Sequence, residues 1–330
     1  MVYIKEIGKN IWPGYKKPFK EELFSSWLFR VSREHQIKMY SFCKESLGGI
    51  PVMNRDIDLV VNRELKNIII NHTPLKTSEV DNLFLNSYEG YLFEKINPNG
   101  RTYGILPLGI YHRKRTRRGL LYCSECFKEG KHYFKKQWRL LTSILCLECN
   151  CYLQDFCPRC KSPIIFHRLD IGEKNTLSNL EIFICFNCNY DLRKSNNIHV
   201  CSKFDIEYQQ NIDDILNNGF NEITHYSFTY FKILFHLCNL FSSTSKKYNK
   251  FKNFYDRRNS SISRKGISEF TYLDLISRRK LLVESFNTMK CWPQNFIKLC
   301  TEEKVNYSDF WREHKNELPY WVFKVLKLDV

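Results

Sequence analysis

Cysteine is the residue type that most restricts what this chain can be. Eight of its fourteen cysteines form four Cys-x-x-Cys pairs: Cys123/Cys126, Cys146/Cys149, Cys157/Cys160 and Cys185/Cys188. A Cys-x-x-Cys turn directs two thiolates at one point, and two such turns complete a tetrahedron around Zn²⁺. A redox Cys-x-x-Cys motif is the competing interpretation, but it would not need four copies. The spacing therefore predicts two metal sites with four cysteine ligands each.

These sites are expected to be structural. Four thiolates close the coordination shell of zinc, whereas a catalytic zinc keeps an open position for water and normally uses His or carboxylate ligands. Zinc binding would contribute folding free energy to a segment with few other core residues. We expect two structural Zn²⁺ ions.

The sequence leaves open which pairs share an ion. Sequential pairing joins the first pair to the second and the third to the fourth, whereas a cross-brace joins the first to the third and the second to the fourth. Sequential pairing is favoured, because local loops cost less entropy to close. Cys151 is then spare, either a buried thiol or a substitute ligand for Cys149. His167 is an outside candidate for the second site, although an ordinary polar histidine is the preferred interpretation.

The charge of the chain indicates a polyanionic partner. The formal net charge is +16, and residues 101–140 contain eleven Lys/Arg against two acidic residues. A basic field beside a cysteine-rich module favours nucleic acid over a merely solvated face. The candidate nucleic-acid contacts are Arg113, Lys114, Arg115, Arg117 and Arg118. Charges this dense would position a phosphate backbone and not read a base sequence.

The rest of the composition predicts a cytoplasmic protein that does not span a membrane. The chain has 330 residues, 43% of them hydrophobic, so it can bury a sizeable core and fill two or three domains. Its first residues lack the apolar run and cleavage site of a secretory signal. Its most apolar segment, 228–241, is interrupted by Lys232 and His236, and is too short for a membrane span. Closely spaced cysteines in the cytoplasm stay reduced.

Hydrophobic periodicity predicts a mainly α fold with small β elements. We expect a helical N-terminal domain over residues 1–105, a tandem zinc-ribbon module with four cysteine ligands per ion over 106–195, and a helical C-terminal domain over 196–330. The first helix is expected to carry Glu21 and Glu22 in its first turn, where the helix dipole favours acids.

The N-terminal domain contains a helix–break–helix pattern. A helix from about Asp58 is expected to end at a break over His72–Pro74, and a second helix to start near Thr77 or Ser78. This order is compatible with a helix-turn-helix DNA reader, although plain helical packing shows it more often. The Asp56/Asp58 pair near the helix start fits a cap better than a metal site.

The C-terminal domain contains two strongly periodic segments. Residues 226–241 are predicted to form a buried helix. A second helix over 272–290 is expected to stop at Pro293, which can open another helix at Phe296. Residues 248–266 show no clear period and are predicted to be a basic loop.

Four stretches of the chain match the pattern of one family. "EELFSSWLFRVSRE" is similar to an N-terminal Glu-Ser-Leu-x-Ser-Trp-Leu-x-Arg helix, and "RDIDLVV" to an Asp-x-Asp segment. The stretch from "RGLLYCSEC" to "CPRC" is similar to a core cysteine pattern with a central Trp-Arg-Leu, and "CWPQNF" to a C-terminal Trp-Pro-x-x-Phe. The chain thus resembles the TniQ/TnsD family of transposition target-selection proteins. Cys149 stands where that family usually has a histidine.

The resemblance implies a non-enzymatic adaptor. Such a protein would bind double-stranded DNA, either directly or through a CRISPR RNA-guided effector complex, and recruit an AAA+ transposition ATPase. The choice between these routes stays open, and a homodimer is allowed. The alternative is a zinc-ribbon transcription regulator that binds DNA sequence-specifically. A nuclease or other enzyme is disfavoured, because metal nucleases cluster acids or His and the acids here are scattered.

The N-terminal helices and the zinc ribbons are expected to form the surface that recruits the ATPase, because the resemblance concentrates in both. Trp27 and Trp138 lie among apolar neighbours and are predicted core residues. The residues predicted to be exposed on the recruiting surface are Arg33, Glu34, Lys135 and Lys136.

Overall fold

The structure is a computed structural model, in which the chain forms two compact units. It describes residues 10–50, 54–59, 62–97, 101–112, 114–170, 180–196, 202–259, 262, 269–311 and 318–328. Unit 1 consists of the described residues of 1–87, 98–101 and 105–199, and unit 2 of those of 88–97, 102–104 and 200–330. The N-terminal helices and the cysteine-rich segment therefore share one unit.

Short helices build the N-terminal part of unit 1. They are α1 (Phe24–Glu34), α2 (Met39–Ser46), α3 (Arg63–His72) and α4 (Thr77–Asp81). The first two pack against each other, as do α3 and α4. The predicted break and second helix are confirmed, since α4 begins at Thr77, where the Glu79 carboxylate accepts a 2.8 Å hydrogen bond from the Lys76 backbone N–H. The first helix of the pattern begins at Arg63 and not near Asp58 as predicted. With five residues, α4 is little more than one turn.

Helix α1 is embedded in the core of unit 1. Phe24, Trp27 and Leu28 are each 0% exposed, so three side chains at helical spacing pack inward. The helix begins at Phe24, and Glu21 and Glu22 therefore precede it. Their predicted place in its first turn is wrong, because the chain turns at Glu21, whose φ is +59°.

The N-terminus of α1 is capped from outside the helix. The Asp58 carboxylate accepts hydrogen bonds from the backbone N–H of Ser25 at 2.7 Å and from its hydroxyl at 2.9 Å. A carboxylate at this place satisfies an orphan N–H and interacts favourably with the helix dipole. The predicted cap at Asp56/Asp58 thus serves α1, whereas α3, the next helix along the chain, is capped by Asn62.

Small hairpins and turns build the cysteine-rich part of unit 1. Strand β1 (Ile110–Tyr111) pairs antiparallel with β2 (Lys114–Arg115), and β3 (Leu145–Cys146) with β4 (Cys151–Tyr152). The one-turn helix α5 (Ser124–Lys128) lies between the two hairpins in sequence. The predicted fold class, mainly α with little strand, is confirmed.

Aromatic rings fill the core around these turns. Phe127, Phe134 and Trp138 make edge-to-face contacts with one another at centroid distances of 5.4–6.2 Å. Such pairs stabilise a core beyond the area that they bury. Trp138 is 2% exposed and Trp27 0%, so both predictions of a core tryptophan are confirmed.

Unit 2 is helical. Its helices are α6 (Lys203–Asn218), α7 (Ser227–Ser242), α8 (Asn249–Arg258), α9 (Leu275–Met289), α10 (Gln294–Glu303), α11 (Tyr307–Phe310) and α12 (Tyr320–Leu328). Helix α9 packs against α6, α7 and α10. The helices predicted over 226–241 and 272–290 are confirmed as α7 and α9, and α10 begins directly after Pro293.

The predicted loop over 248–266 is wrong in its first half, where α8 forms. Phe251, Phe254 and Tyr255 lie on one face of this helix and are at most 3% exposed. The ring of Phe241 in α7 contacts those of Phe254 and Tyr255 at centroid distances of 5.9 and 5.8 Å. Tertiary packing therefore stabilises a helix whose polar residues obscure its period. Residues 260–261 and 263–268 lie outside the described residues.

Among the described residues, none of the helices has both the length and the apolar character that crossing a membrane requires.

Candidate metal centres and a basic hairpin

Four thiols converge at the first candidate metal centre. The Sγ atoms of Cys123, Cys126, Cys146 and Cys149 all lie within 4.8 Å of one another. The first two come from the start of α5, and the last two from the end of β3 and the turn that follows it. A helical turn and a hairpin thus face each other, and the structure brings together the first and second Cys-x-x-Cys pairs.

The spacing of these thiols fits a tetrahedral zinc ion. Zn–S bonds of about 2.3 Å in a regular tetrahedron place the sulfurs about 3.8 Å apart. The Sγ atom of Cys126 is 3.6 Å from that of Cys146 and 3.4 Å from that of Cys149. A disulfide would require a separation of about 2.05 Å, and every cysteine that the structure describes is free. Four soft sulfur donors at this spacing suit zinc.

The second candidate centre joins the third and fourth pairs. The Sγ atoms of Cys157, Cys160, Cys185 and Cys188 also lie within 4.8 Å of one another. Cys157 and Cys188 are separated by 3.7 Å, and Cys160 and Cys185 by 3.6 Å. This donor set fits the same tetrahedron. Of the two pairings that the sequence leaves open, the structure places the thiols as the sequential one requires.

Three of the four pairs end in the same backbone turn. The residue directly after the second cysteine has a left-handed conformation in each of them: Asn150 at φ +48°, Lys161 at φ +60° and Asn189 at φ +55°. Asparagine adopts this region more readily than most residues. The left-handed residue reverses the chain directly after each of these three pairs.

Cys151 occupies the place in the first centre that Ser162 has in the second. Each follows the first cysteine of its turn by five residues. Cys151 pairs with Cys146 across β3 and β4, and the backbone carbonyl of Ser162 accepts a 3.0 Å hydrogen bond from the N–H of Cys157. The Cys151 side chain is 0% exposed, and its Sγ atom lies 3.4 Å from that of Cys123. The first centre therefore has a fifth thiol where the second has a hydroxyl.

Neighbouring groups favour the thiolate form at one cysteine of each centre, whereas burial raises the pKa of Cys149 to about 11 and that of Cys157 to about 12. Hydrogen bonds from Cys123 and Cys126 lower the pKa of Cys146 to about 2. Burial acts to raise the pKa of Cys160, but hydrogen bonds, first of all from Ser162, outweigh it and lower this pKa to about 6. The thiolate is the form that ligates a metal.

His167, the outside candidate for the second site, lies in the 3-10 turn Phe166–Arg168 and is buried. It belongs to neither group of metal-ligand atoms found among the described residues. The preferred interpretation, a histidine that is not a ligand, stays compatible with this position.

A buried ion network joins the N-terminal helices to the cysteine-rich part within unit 1. The guanidinium of Arg139 is 0% exposed and donates to Asp56 at 2.5 Å, to Asp58 at 3.3 Å and to the Leu106 carbonyl at 3.0 Å. Burial acts to lower the pKa of Arg139, but the two carboxylates outweigh it and raise this pKa. The sequence alone did not predict this network. The Asp-x-Asp segment is visible as a pattern, but Arg139 lies 83 residues from Asp56 in the chain, so nothing in the local sequence connects them.

Arg115 belongs to the same network and not to the exposed basic run. It is only 6% exposed, and its guanidinium lies 5.6 Å from the centre of the Phe166 ring. Burial lowers the pKa of Arg115 to about 10, while the charge of Asp58 opposes this shift. A side chain in this position is not available to a phosphate backbone.

The exposed members of the basic run lie on the hairpin β1–β2 and directly after it. Lys114, Arg117 and Arg118 are exposed, and the Arg118 guanidinium lies 4.3 Å from the centre of the Phe156 ring. Arg113 lies outside the described residues. The phosphate contact of this run stays a prediction, now centred on three exposed cations.

Two of the predicted recruiting residues are not on the surface. Lys135 and Lys136 are 7% and 4% exposed, so the prediction that they are exposed is wrong. The ammonium of Lys135 is paired with Glu148 and lies 5.8 Å from the centre of the Trp138 ring. Arg33 is partly buried, and Glu34 is exposed.

A mainly helical chain with two groups of four cysteines fits a protein that contains tandem zinc ribbons. The comparison with known families identifies the kind of protein more closely. The family model described as TniQ matches residues 14–153. This range contains α1–α5, the ion network and the first thiol group, so the chain carries a TniQ domain over residues 14–153, and the resemblance is confirmed for that part of the sequence. The TniQ domain associates this protein with target selection in transposition. No curated protein matches the chain.

Proposed function

We propose that this protein is a non-enzymatic adaptor that selects the target of a transposition reaction. It binds target DNA, directly or through a CRISPR RNA-guided complex on that DNA, and recruits an AAA+ ATPase that signals to the transposase. The observation that carries the proposal is the TniQ match over residues 14–153. Most of the matched residues lie in unit 1, in which Arg139 pairs with Asp58, the carboxylate that caps α1.

Two structural zinc ions would hold the cysteine-rich part of this adaptor. Their ligands are Cys123, Cys126, Cys146 and Cys149 for the first and Cys157, Cys160, Cys185 and Cys188 for the second. The chemistry that zinc supplies here is the cross-linking of turns, because four thiolates leave no position for a substrate or a reactive water. The eight cysteines would therefore act structurally, by fixing the shape of the protein surface around the two ions.

We assign the contact with DNA to Lys114, Arg117 and Arg118. All three are exposed, and no acidic residue occurs from residue 95 to residue 124. A positive surface of this kind attracts the phosphate backbone whatever the base sequence. Selection of a particular site would then come from other contacts or from a partner already on the DNA.

The recruitment part of the proposal is tested by crosslinking the protein in its native host and identifying what copurifies. We expect an AAA+ ATPase of a transposon together with DNA. Copurified guide RNA and effector subunits would assign the RNA-guided route. Copurification with transcription machinery and with no transposition ATPase would instead support the alternative, a transcription regulator.

The DNA part is tested by the salt dependence of binding. The triple variant K114A/R117A/R118A should bind every DNA sequence more weakly, and the slope of log K against log salt should fall by up to about three, one for each lost phosphate contact. The triple variant K246A/K247A/K298A is the matched control, since these lysines are also exposed. An unchanged slope in K114A/R117A/R118A would show that the basic run is an ordinary solvated surface that makes no phosphate contacts.

A further inference from the structure

The outward face of the hairpin β1–β2 carries a tyrosine that the fold does not use. Ile110 is opposite Arg115, and Tyr111 is opposite Lys114. Side chains alternate between the two faces of a strand pair. Arg115 is on the buried face, whereas Tyr111 is 69% exposed and its cross-strand neighbour Lys114 is also exposed. An aromatic ring and a cation thus lie side by side on the solvent face.

The hairpin is held firmly at its base. The Gly109 carbonyl accepts hydrogen bonds from the backbone N–H of Thr116 at 2.9 Å and from its hydroxyl at 2.7 Å. The N–H of Arg117 donates to the Leu108 carbonyl at 3.1 Å. Together with the buried guanidinium of Arg115, these contacts restrict the strands that carry the outward pair. A ligand would therefore meet Tyr111 with little loss of conformational entropy.

The turn of the hairpin places a second ring beside the tyrosine. His112 has φ +45°, a left-handed conformation that strains a residue with a Cβ atom and costs a glycine almost nothing. Its imidazole is exposed and lies against the Tyr111 ring, edge to face, at a centroid distance of 4.2 Å. A glycine at position 112 would be less strained, but it would lack the ring that contacts and orients Tyr111.

We propose that Tyr111 stacks on an unpaired base of DNA or RNA while Lys114 contacts a phosphate beside it. The inference rests on the proposed function and adds to it a preference for nucleic acid with accessible base faces. An aromatic platform beside cations is the arrangement by which proteins bind single strands, and a paired duplex hides the faces on which such a ring stacks. The basic surroundings, free of acids from residue 95 to residue 124, favour a polyanion over an apolar partner.

The test measures the affinity of the full chain for four labelled probes at one salt concentration. The probes are a fully paired DNA duplex, the same duplex with an unpaired bulge, the single DNA strand and the RNA strand of the same sequence. Tyr111→Ala should weaken binding to the probes with unpaired bases roughly fivefold or more, and binding to the paired duplex should not change. Tyr111→Phe should bind like the unsubstituted protein, since the ring suffices for stacking.

Tyr40→Ala is the matched control, because Tyr40 is an exposed tyrosine on α2, at 43%, outside the basic region; it should change nothing. A preference of the unsubstituted protein for the DNA or the RNA strand identifies the natural source of the base. If Tyr111→Ala binds all four probes unchanged, or loses affinity equally for paired and unpaired ones, stacking is excluded while the DNA contact of the proposed function stands. If the unsubstituted protein binds none of the probes, both fail.

Discussion

The two thiol groups are built from the same kind of turn but lie in different surroundings. In the first group three of the four thiols are buried, and in the second only two. Phe127 of the aromatic cluster directly follows Cys126 of the first group, which falls within the TniQ match, whereas the second group lies beyond residue 153. The difference indicates that a zinc ion in the first group would support the core of unit 1, and one in the second would support mainly its own turns.

The largest expected effect follows Cys126→Ser in the first group. Structural zinc contributes about 10–16 kcal/mol in zinc-finger peptides, which is comparable to the whole stability of a typical domain, about 5–15 kcal/mol. The variant should bind one zinc ion instead of two and lose cooperative unfolding of unit 1, as followed by metal analysis and tryptophan fluorescence.

Cys43→Ser is the matched control for this change. Cys43 is a buried cysteine of α2, 2% exposed, and belongs to neither thiol group. Its substitution should cost only the ordinary penalty for a buried hydroxyl, about 1–3 kcal/mol. If Cys126→Ser is no more damaging than this control, the first group does not support the core.

A smaller effect is expected for Cys188→Ser in the second group. Zinc content should again fall to one ion, because the turn loses an irreplaceable ligand, but α1 should keep its amide-exchange protection. Hydrogen exchange should increase mainly over 154–170 and 180–196. Loss of protection throughout unit 1 would show that the two groups are equally important for the core.

The smallest effect is expected for Cys149→Ser. Cys151 is buried and its Sγ atom lies 3.4 Å from that of Cys123, so it can take the place of the missing thiolate after a small shift. Zinc content should stay at two ions, and only the double variant C149S/C151S should lose the first. A single variant that loses zinc as fully as Cys188→Ser would mean that the fifth thiol is not a substitute ligand.

Local pattern predicted those parts of the molecule that depend on neighbours in sequence. The Cys-x-x-Cys pairs need only a turn, and α1, α7 and α9 carry their apolar residues at a regular helical period. Pattern failed for α8, where three aromatic residues are spaced among charges, and for Lys135 and Lys136, whose charge suggested exposure. Both ammonium groups are paired with carboxylates, Lys135 with Glu148 and Lys136 with Glu21, which a charge count does not reveal.

The basic run shows the same limit at the candidate nucleic-acid surface. Five adjacent cations look equivalent in a sequence, yet strand alternation turns Arg115 inward, next to the charge of Asp58, and Lys114 outward beside Tyr111. The burial of Arg115 could have been predicted only by knowing that β1 and β2 pair with each other. Two strands of two residues each are too short to produce a detectable period.

By itself the sequence determined that eight cysteines occur as four close pairs, that the chain is mainly helical and that its positive charge concentrates between residues 101 and 140, since each depends on residue types and short spacings. Only the tertiary structure decided which pairs face each other, that the Cys151 thiol lies beside Cys123 of the first group, and that Asp58 contacts both Ser25 and Arg139. These contacts join residues far apart in the chain, and their partners are selected by the packing of the whole unit, because a buried charge or thiol is stable only where a complementary group is brought to it.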